Sequence, residues 1–193
     1  MMFRLVPIGQ PAVEDLGDIS ASYCNELLLR ATLFAPECSN EGSAGLILNR
    51  PTEYNLGQLA GFEELLPDFA SCPLYMGGDV GANALHVVHG VHGLEDSMQV
   101  IPGVYMGGIK SMKASVQRGE SKPDEYRWFV RYAGWGPGQL QREVAMGIWY
   151  LASSSKETIL KPCIKLPKPL WREILEYMGD PYVDISRRAY GDV

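Results

Sequence analysis

The sequence predicts an α+β fold: a single domain of mixed or antiparallel twisted sheet with helices packed around it. Three observations lead there. Apolar runs of strand length follow one another through turn residues, at Ala44 to Asn49, Pro73 to Met76, Ala84 to His89 and Met98 to Met106. Helical periodicity is interspersed among them without the regular β-α-β alternation of a doubly wound parallel sheet. Finally, 193 residues with 46% hydrophobic and 21% charged side chains suit one domain with a sizeable core. No repeat, low-complexity run or linker divides the chain.

In chain order, residues 1–22 are weakly patterned. Leu5 to Ile8 reads as a short strand that Pro7 and Pro11 would keep at a sheet margin. Asn25 to Phe34 is ambiguous between strand and helix by periodicity, and its second half is taken as strand. Ala35 to Ser43 reads as a polar turn before the strand at Ala44 to Asn49, which Arg50-Pro51-Thr52 ends. Asn55 followed by Gln58 has the pattern of a capping box opening a helix, with Leu56, Leu59 and Phe62 inward; Gly57 and Gly61 weaken it. The strand Met98 to Met106 is interrupted at Pro102-Gly103, and Gly107-Gly108 leads into a helix over Ile109 to Gln117.

The best-patterned unit runs from Arg127 to Trp149. It reads as a strand from Arg127 to Ala133, a corner at Gly134-Trp135-Gly136-Pro137-Gly138, and a helix. Leu140, Val144, Ile148 and Leu151 would form the helix's buried stripe. Beyond it, Thr158 to Leu160 reads as a small strand. Pro169 to Met178 reads as a helix with Leu170, Ile174 and Met178 on one face and Gly179 as its stop. The tail from Asp180 is polar and expected to be loose or draped on the surface.

The formal net charge of -6 argues against broad electrostatic binding to nucleic acid or anionic membrane. No stretch is long enough to span a bilayer, and the start lacks a signal or transit pattern, so an intracellular location is expected. Cys24, Cys38, Cys72 and Cys163 contain no Cys-x-x-Cys pair and are expected to be free thiols.

Motifs for chemistry are sparse. The Gly134 to Gly138 corner lacks the third glycine of a dinucleotide fingerprint, where Gln139 stands, and the chain has no Gly-Lys-Ser/Thr triplet. A helix dipole at that corner would still favour an anion. Gln139 and Glu143 lie one helical turn apart and, with Trp135 and Arg50, would line a polar pocket. His86, His89 and His92 are spaced in threes, but on a strand the first two point to opposite faces, so no metal site is expected. No Gly-x-Ser-x-Gly elbow or cysteine–histidine set is present. No catalytic residue and no cofactor is assigned.

With Gly45 to Thr52 (Gly-Leu-Ile-Leu-Asn-Arg-Pro-Thr), Tyr75-Met76-Gly77-Gly78, Val87-Val88-His89 and Tyr132 to Leu140 in place, the chain resembles the YqgE/AlgH family in block order. The resemblance covers residues 25–179, leaving residues 1–24 as a divergent N-terminal segment and residues 180–193 as a tail. It implies an α+β fold of twisted, partly bifurcated sheets, and it implies no established enzymatic activity. One bacterial branch is linked by name to transcriptional regulation of alginate synthesis, and other members occur in plastid-bearing eukaryotes. The location implied is therefore cytoplasm for a bacterial chain or plastid stroma for a eukaryotic one. Carried over, Asn49, Arg50, Gly77, Gly78, Trp135, Gly136, Gln139, Leu140 and Glu143 are the signature positions, and all but Leu140 are candidate ligand-binding residues.

These residue types shape backbone and surface more than they move protons, so the leading expectation is a non-catalytic binding or regulatory protein with an unidentified protein partner. The alternatives are a small-molecule sensor or enzyme with a cleft at Arg50, Trp135, Gln139 and Glu143, and a transcriptional regulator.

Overall fold

The computed structural model describes residues 42–191 in full, together with strand backbone at residues 3–5 and 32–39. The sheet is built around its longest strands, β6 (Val80–His89) and β9 (Tyr126–Trp135), which pair antiparallel. Beyond β6 come β8 (Val104–Gly107) and β7 (Ser97–Ile101); the single interrupted strand expected over Met98 to Met106 is an antiparallel hairpin turning at Pro102-Gly103. On the other side of β9 the sheet forks. β5 (Pro73–Met76) runs parallel to the first half of β9 and carries β4 (Pro51–Asn55). β3 (Gly42–Ile47) pairs antiparallel with the second half, through Ser43↔Trp135 to Gly45↔Ala133. β2 (Thr32–Ser39), β1 (Phe3–Leu5) and β10 (Tyr150–Ala152) continue from β3 in that order.

The fork has a local cause. Side chains on a strand alternate between faces, and Phe129 belongs to the core under the C-terminal helices while Trp128 and Tyr126 belong to the opposite one. Simple alternation would send Tyr132 to the side of Trp128 and Ala133 to the side of Phe129. The reverse is seen, with Tyr132 in the first core and Ala133 and Trp135 in a third cluster with Ile47 and Trp149. Arg131, at φ 61°, is the residue that resets the phase. A residue in this left-handed region bulges the strand and twists it more strongly. Pairing with β5 stops at Met76↔Val130, and pairing with β3 starts at Ala133.

The helices cover both faces. α1 (Phe62–Leu65) and α2 (Ile109–Gln117) lie with the second core; α3 (Gln139–Ala145) follows the corner; α4 (Lys156–Leu160), α5 (Leu170–Met178) and α6 (Tyr182–Tyr190) close the first. No helix among the described residues is long and apolar enough to cross a membrane.

Several expectations are corrected. The turn expected at Ala35 to Ser43 is mostly strand, since β2 runs to Ser39 and β3 begins at Gly42, with a register irregularity between Phe34 and Glu37. The first strand is no sheet margin: β1 is paired on both sides, by β10 and β2, while residues 6–8 lie outside the described chain. Residues 25–31 of the ambiguous run also lie outside it. The helix expected from Asn55 is a 3-10 turn at Leu56–Gln58 followed by α1, divided at Gly61 (φ 79°). The capping reach is real, for Gln58 Oε1 accepts the Asn55 amide at 2.8 Å.

The helix after the corner is shorter than its apolar stripe suggested. Gly147 at φ 72° ends it in a Schellman motif: the Ile148 amide reaches back to the Glu143 carbonyl at 3.0 Å, and Gly147 to Val144 at 2.9 Å. Ile148 and Leu151 are thereby released to the surface, and Trp149 is buried instead. The strand expected at Thr158 to Leu160 is helix α4, capped by Ser155 Oγ accepting from the Thr158 amide at 3.4 Å. As far as Gly191 the tail is helical rather than loose. Tyr182, Ile185 and Ala189 recur at helical spacing and pack α6 onto the core beneath α5.

Candidate functional site

The corner is tied together by one carboxylate. β9 ends at Trp135, Gly138 takes φ 68°, and α3 begins at Gln139. One turn later Glu143 points back at the corner. Its Oε2 accepts from Trp135 Nε1 at 2.9 Å and from Trp149 Nε1 at 2.7 Å, while Oε1 accepts from Gln139 Nε2 at 2.8 Å. Gln139 Oε1 in turn accepts the Gly136 amide at 3.1 Å. The two indoles meet edge to face, centroids 5.9 Å apart. One carboxylate oxygen thus holds both rings and the other holds the Gln139 amide. The corner lacks a free base, and its helix is too short to offer a strong anion site.

The other predicted site residues lie elsewhere. Gly77 sits in the fork: its amide donates to the Val130 carbonyl of β9 at 2.8 Å, and its carbonyl accepts from the Ile47 amide of β3 at 2.8 Å. A Cβ on Gly77 would come 2.4 Å from the Arg131 carbonyl oxygen, and one on Gly78 would come 2.1 Å from the Tyr132 carbonyl carbon. Both glycines are there because backbone meets backbone. Asn49 lies in the turn after β3, and the Arg50 carbonyl accepts the Met76 amide at 2.8 Å. Arg50 follows the end of β3 remote from the Ser43↔Trp135 pair, so the structure brings together Trp135, Gly136, Gln139 and Glu143 without Arg50.

Sequence reading missed Arg127. It shares the face of Phe129 and is only 4% exposed. Nη1 donates to the Ile159 carbonyl and Nη2 to the Leu48 carbonyl, both at 2.6 Å, and the guanidinium lies 4.5 Å from the centre of the Tyr75 ring. Carbonyl dipoles and ring faces thus surround the cation, joining the end of β3 to α4 across the sheet. Nearby, Tyr75 Oη accepts the Cys163 amide at 3.2 Å. Burial raises the pKa of both Tyr75 and Cys163, with Arg127 opposing the rise. The signal was available: strand alternation from Phe129 places position 127 indoors.

The three histidines gather no metal ligands; no group of three metal-binding side chains occurs among the described residues. His89 is fully buried, its ring stacked on Tyr105 (5.7 Å). His86 instead lines a cavity of about 270 Å³ together with Ala44, Gly45, Leu46, Met106 and Tyr132. The hollow exists because β3 and β9 face each other there through small residues, Ala44↔Gly134 and Gly45↔Ala133. Burial lowers the His86 pKa, leaving a neutral imidazole in an almost wholly apolar wall. A second hollow, of about 550 Å³, lies between Ser153, Ser154, Ser155 and Thr158 on one side and Ile174 and Tyr177 on the other.

Comparison with known proteins agrees with this architecture. A family model described as AlgH-like matches residues 30–183. A UPF0301 protein of Chlorobium phaeobacteroides is 32% identical over 166 residues, 84% of each chain. One from Chlorobaculum tepidum is 37% identical over 144 residues, 72% of this chain and 74% of its own. Among solved structures, protein DIP2367 of Corynebacterium diphtheriae aligns with TM-score 0.68 at 18% identity, over 95% of this chain and 90% of that one. The AlgH protein of Pseudomonas aeruginosa aligns with TM-score 0.59 at 20% identity, over 83% and 80%. At such identities the structures speak for the fold alone.

Proposed function

This chain belongs to the AlgH-like family, and on that premise we propose that it is a non-catalytic binding or regulatory protein. The observation that carries the reading is the use made of Glu143. It is the carboxylate of the corner, and its two oxygens accept from Trp135, Trp149 and Gln139. A general base must be free to take a proton from substrate; this one is spent on positioning two indoles. The sheet cavity likewise offers binding surface without a serine, cysteine, lysine or carboxylate in its lining.

The enzyme reading required Arg50 to join that corner, and the β3 register sets the two apart. Direct regulation at DNA has the acidic balance of -6 against it. A protein or small-molecule occupant is the role that remains.

Native mass spectrometry of the chain purified from its own source tests this. The expected result is a non-covalent mass beyond the bare chain, lost on unfolding. A bare monomer, or a turnover that disappears in Glu143→Gln while the fold is intact, overturns it.

A further inference from the structure

We propose that the cavity between β3, β9, β6 and β8 is a binding site for a small planar aromatic molecule bearing one hydrogen-bonding group, of the phenol or indole kind. The inference rests on the binding role proposed above and names its ligand class.

Size comes first. About 270 Å³ is near the lower end of ligand pockets, enough for one or two fused rings and too little for a nucleotide. Shape comes from the sheet. The Ala44↔Gly134 and Gly45↔Ala133 pairs put small residues where β3 and β9 meet, so backbone is open between the side chains of Leu46 and Tyr132. A planar ring can lie on these peptide groups, which a bulkier aliphatic shape would touch at few points.

The walls have matching chemistry. His86 and Tyr132 stand edge to face, centroids 5.7 Å apart and planes at 85°, which presents a ring edge beside a ring face to anything between the strands. Met106 contributes a polarizable thioether, which packs favourably against aromatic rings. Leu46 completes an apolar lining in which the imidazole is a rare polar group.

That imidazole limits the ligand's polarity. His86 Nε2 is buried and has no hydrogen-bond partner, an arrangement that costs free energy unless something compensates it. A 180° turn of the ring exchanges its nitrogen and carbon edges, so a ligand hydroxyl or N–H can be met without moving the backbone. One such group on the ligand fits. A carboxylate or phosphate does not, because the lining offers no cation to neutralise it.

The test uses four probes, phenol, indole, benzene and cyclohexanol, titrated into the full-length chain by protein-observed NMR. Shifts should centre on Met106, Ala44 and His86, with cyclohexanol about two- to tenfold weaker than phenol. Ala44→Leu, made at an exposed position so that the fold survives, should weaken phenol and indole at least about tenfold by filling the hollow. His86→Phe should narrow the preference for phenol over benzene by about fivefold, the worth of one hydrogen bond. Equal binding of all four probes, shifts scattered over the surface, or unchanged phenol affinity in Ala44→Leu overturns the assignment. The two readings fail separately. A natively bound molecule that survives Ala44→Leu refutes the aromatic site and leaves the binding role standing. A chain that carries nothing natively refutes the role.

Discussion

Gly77 and Arg131 are fitted to one another: the Gly77 α-carbon lies so close that a Cβ would stand 2.4 Å from the Arg131 carbonyl oxygen, at the place where Arg131 takes φ 61°. The bulge in β9 and the bare backbone of Gly77 are two halves of one device, which lets β5 and β3 share a single strand edge.

Gly77→Ala is therefore expected to cost at least about 3 kcal/mol, because the clash is with backbone and has no flexible side chain to absorb it. Gly136→Ala serves as the contrast. Its added Cβ would meet nothing nearer than Gln139 Oε1 at 3.9 Å, and its φ is ordinary, so the change should stay within about 0.5 kcal/mol. Urea unfolding of the two variants measures both. Equal losses would show that the fork is not where the glycines matter.

Arg131 carries the reverse prediction. A left-handed conformation costs a non-glycine residue roughly 1–2 kcal/mol, most of which glycine avoids at some entropic cost of its own. Arg131→Gly should be neutral or stabilising by up to about 1 kcal/mol, and Arg131→Val, β-branched, should destabilise by about 2 kcal/mol or more. A stable Arg131→Val protein with unchanged near-ultraviolet dichroism would mean that the strand can keep its phase without the bulge.

Much of the fold was legible in the sequence where period and punctuation agree. The β5 strand and α2 stand where apolar runs bounded by glycine and proline put them, and the interruption read at Pro102-Gly103 is the turn that parts β7 from β8. The misses share a physical origin. Ile148 and Leu151 extend the helical stripe of α3, yet Gly147 ends that helix by a C-terminal cap that apolar periodicity does not register. The cap at Ser155 is equally local, and the branched Thr158-Ile159 pair reads as strand where that cap is not considered. For the site, the corner's residues were readable as a group, since Gln139 and Glu143 are one turn apart. That Trp149 would close the set depended on the chain reversing at Gly147, a tertiary consequence. Arg127 escaped because a charged residue at a strand start reads as a solvated flank until its partners, Leu48 and Ile159, arrive from far along the chain.

Removing Glu143 should unlock both indoles. Glu143→Ala leaves the Trp135 and Trp149 N–H groups without their acceptor and is expected to destabilise by about 3 kcal/mol, given that charge-assisted bonds are worth more than neutral ones. Glu143→Gln keeps one acceptor oxygen for the indoles but turns an N–H₂ toward Gln139, so its cost should be intermediate. The near-ultraviolet tryptophan dichroism should weaken in the same order. An unaltered spectrum in Glu143→Ala would remove the corner's claim to be a lock.

The thiols of Cys72 and Cys163 should be inert in the native state. Burial and the neighbouring Asp124 push Cys72 up to about 11, which leaves about one thiolate in a thousand at pH 8. Cys163 is also raised, by burial. Alkylation at pH 8 mapped by peptide mass spectrometry should leave both unmodified until denaturant is added. Rapid native labelling of Cys163 would show that the segment after α4 opens readily.

Buried histidine makes stability sensitive to mild acid. Burial lowers the pKa of His89 below 6.5, while backbone groups of Gly107 and Val91 and the carboxylate of Asp96 partly offset the fall. Its packing neighbours are the rings of Tyr105 and Tyr126. Above pH 6.5 the ring is neutral in both the folded and the unfolded chain, and the contribution is fully present. As pH drops below 6.5 the unfolded chain takes up the proton first, so stability declines until the folded pKa is passed, by at most about 1.4 kcal/mol per pH unit for this group. Asp96, whose carboxylate accepts the Lys110 and Ser111 amides at the start of α2, also has a lowered pKa, but it titrates in the carboxylate range near and below pH 4. The two windows are separable. Urea midpoints between pH 7 and pH 5 should fall in the wild type and fall less steeply in His89→Phe, which keeps an aromatic ring between the tyrosines. His86, similarly depressed but only half-buried, should contribute a smaller share of the slope. If His89→Phe shows the wild-type slope, the acid sensitivity lies elsewhere and the buried imidazole is thermodynamically silent.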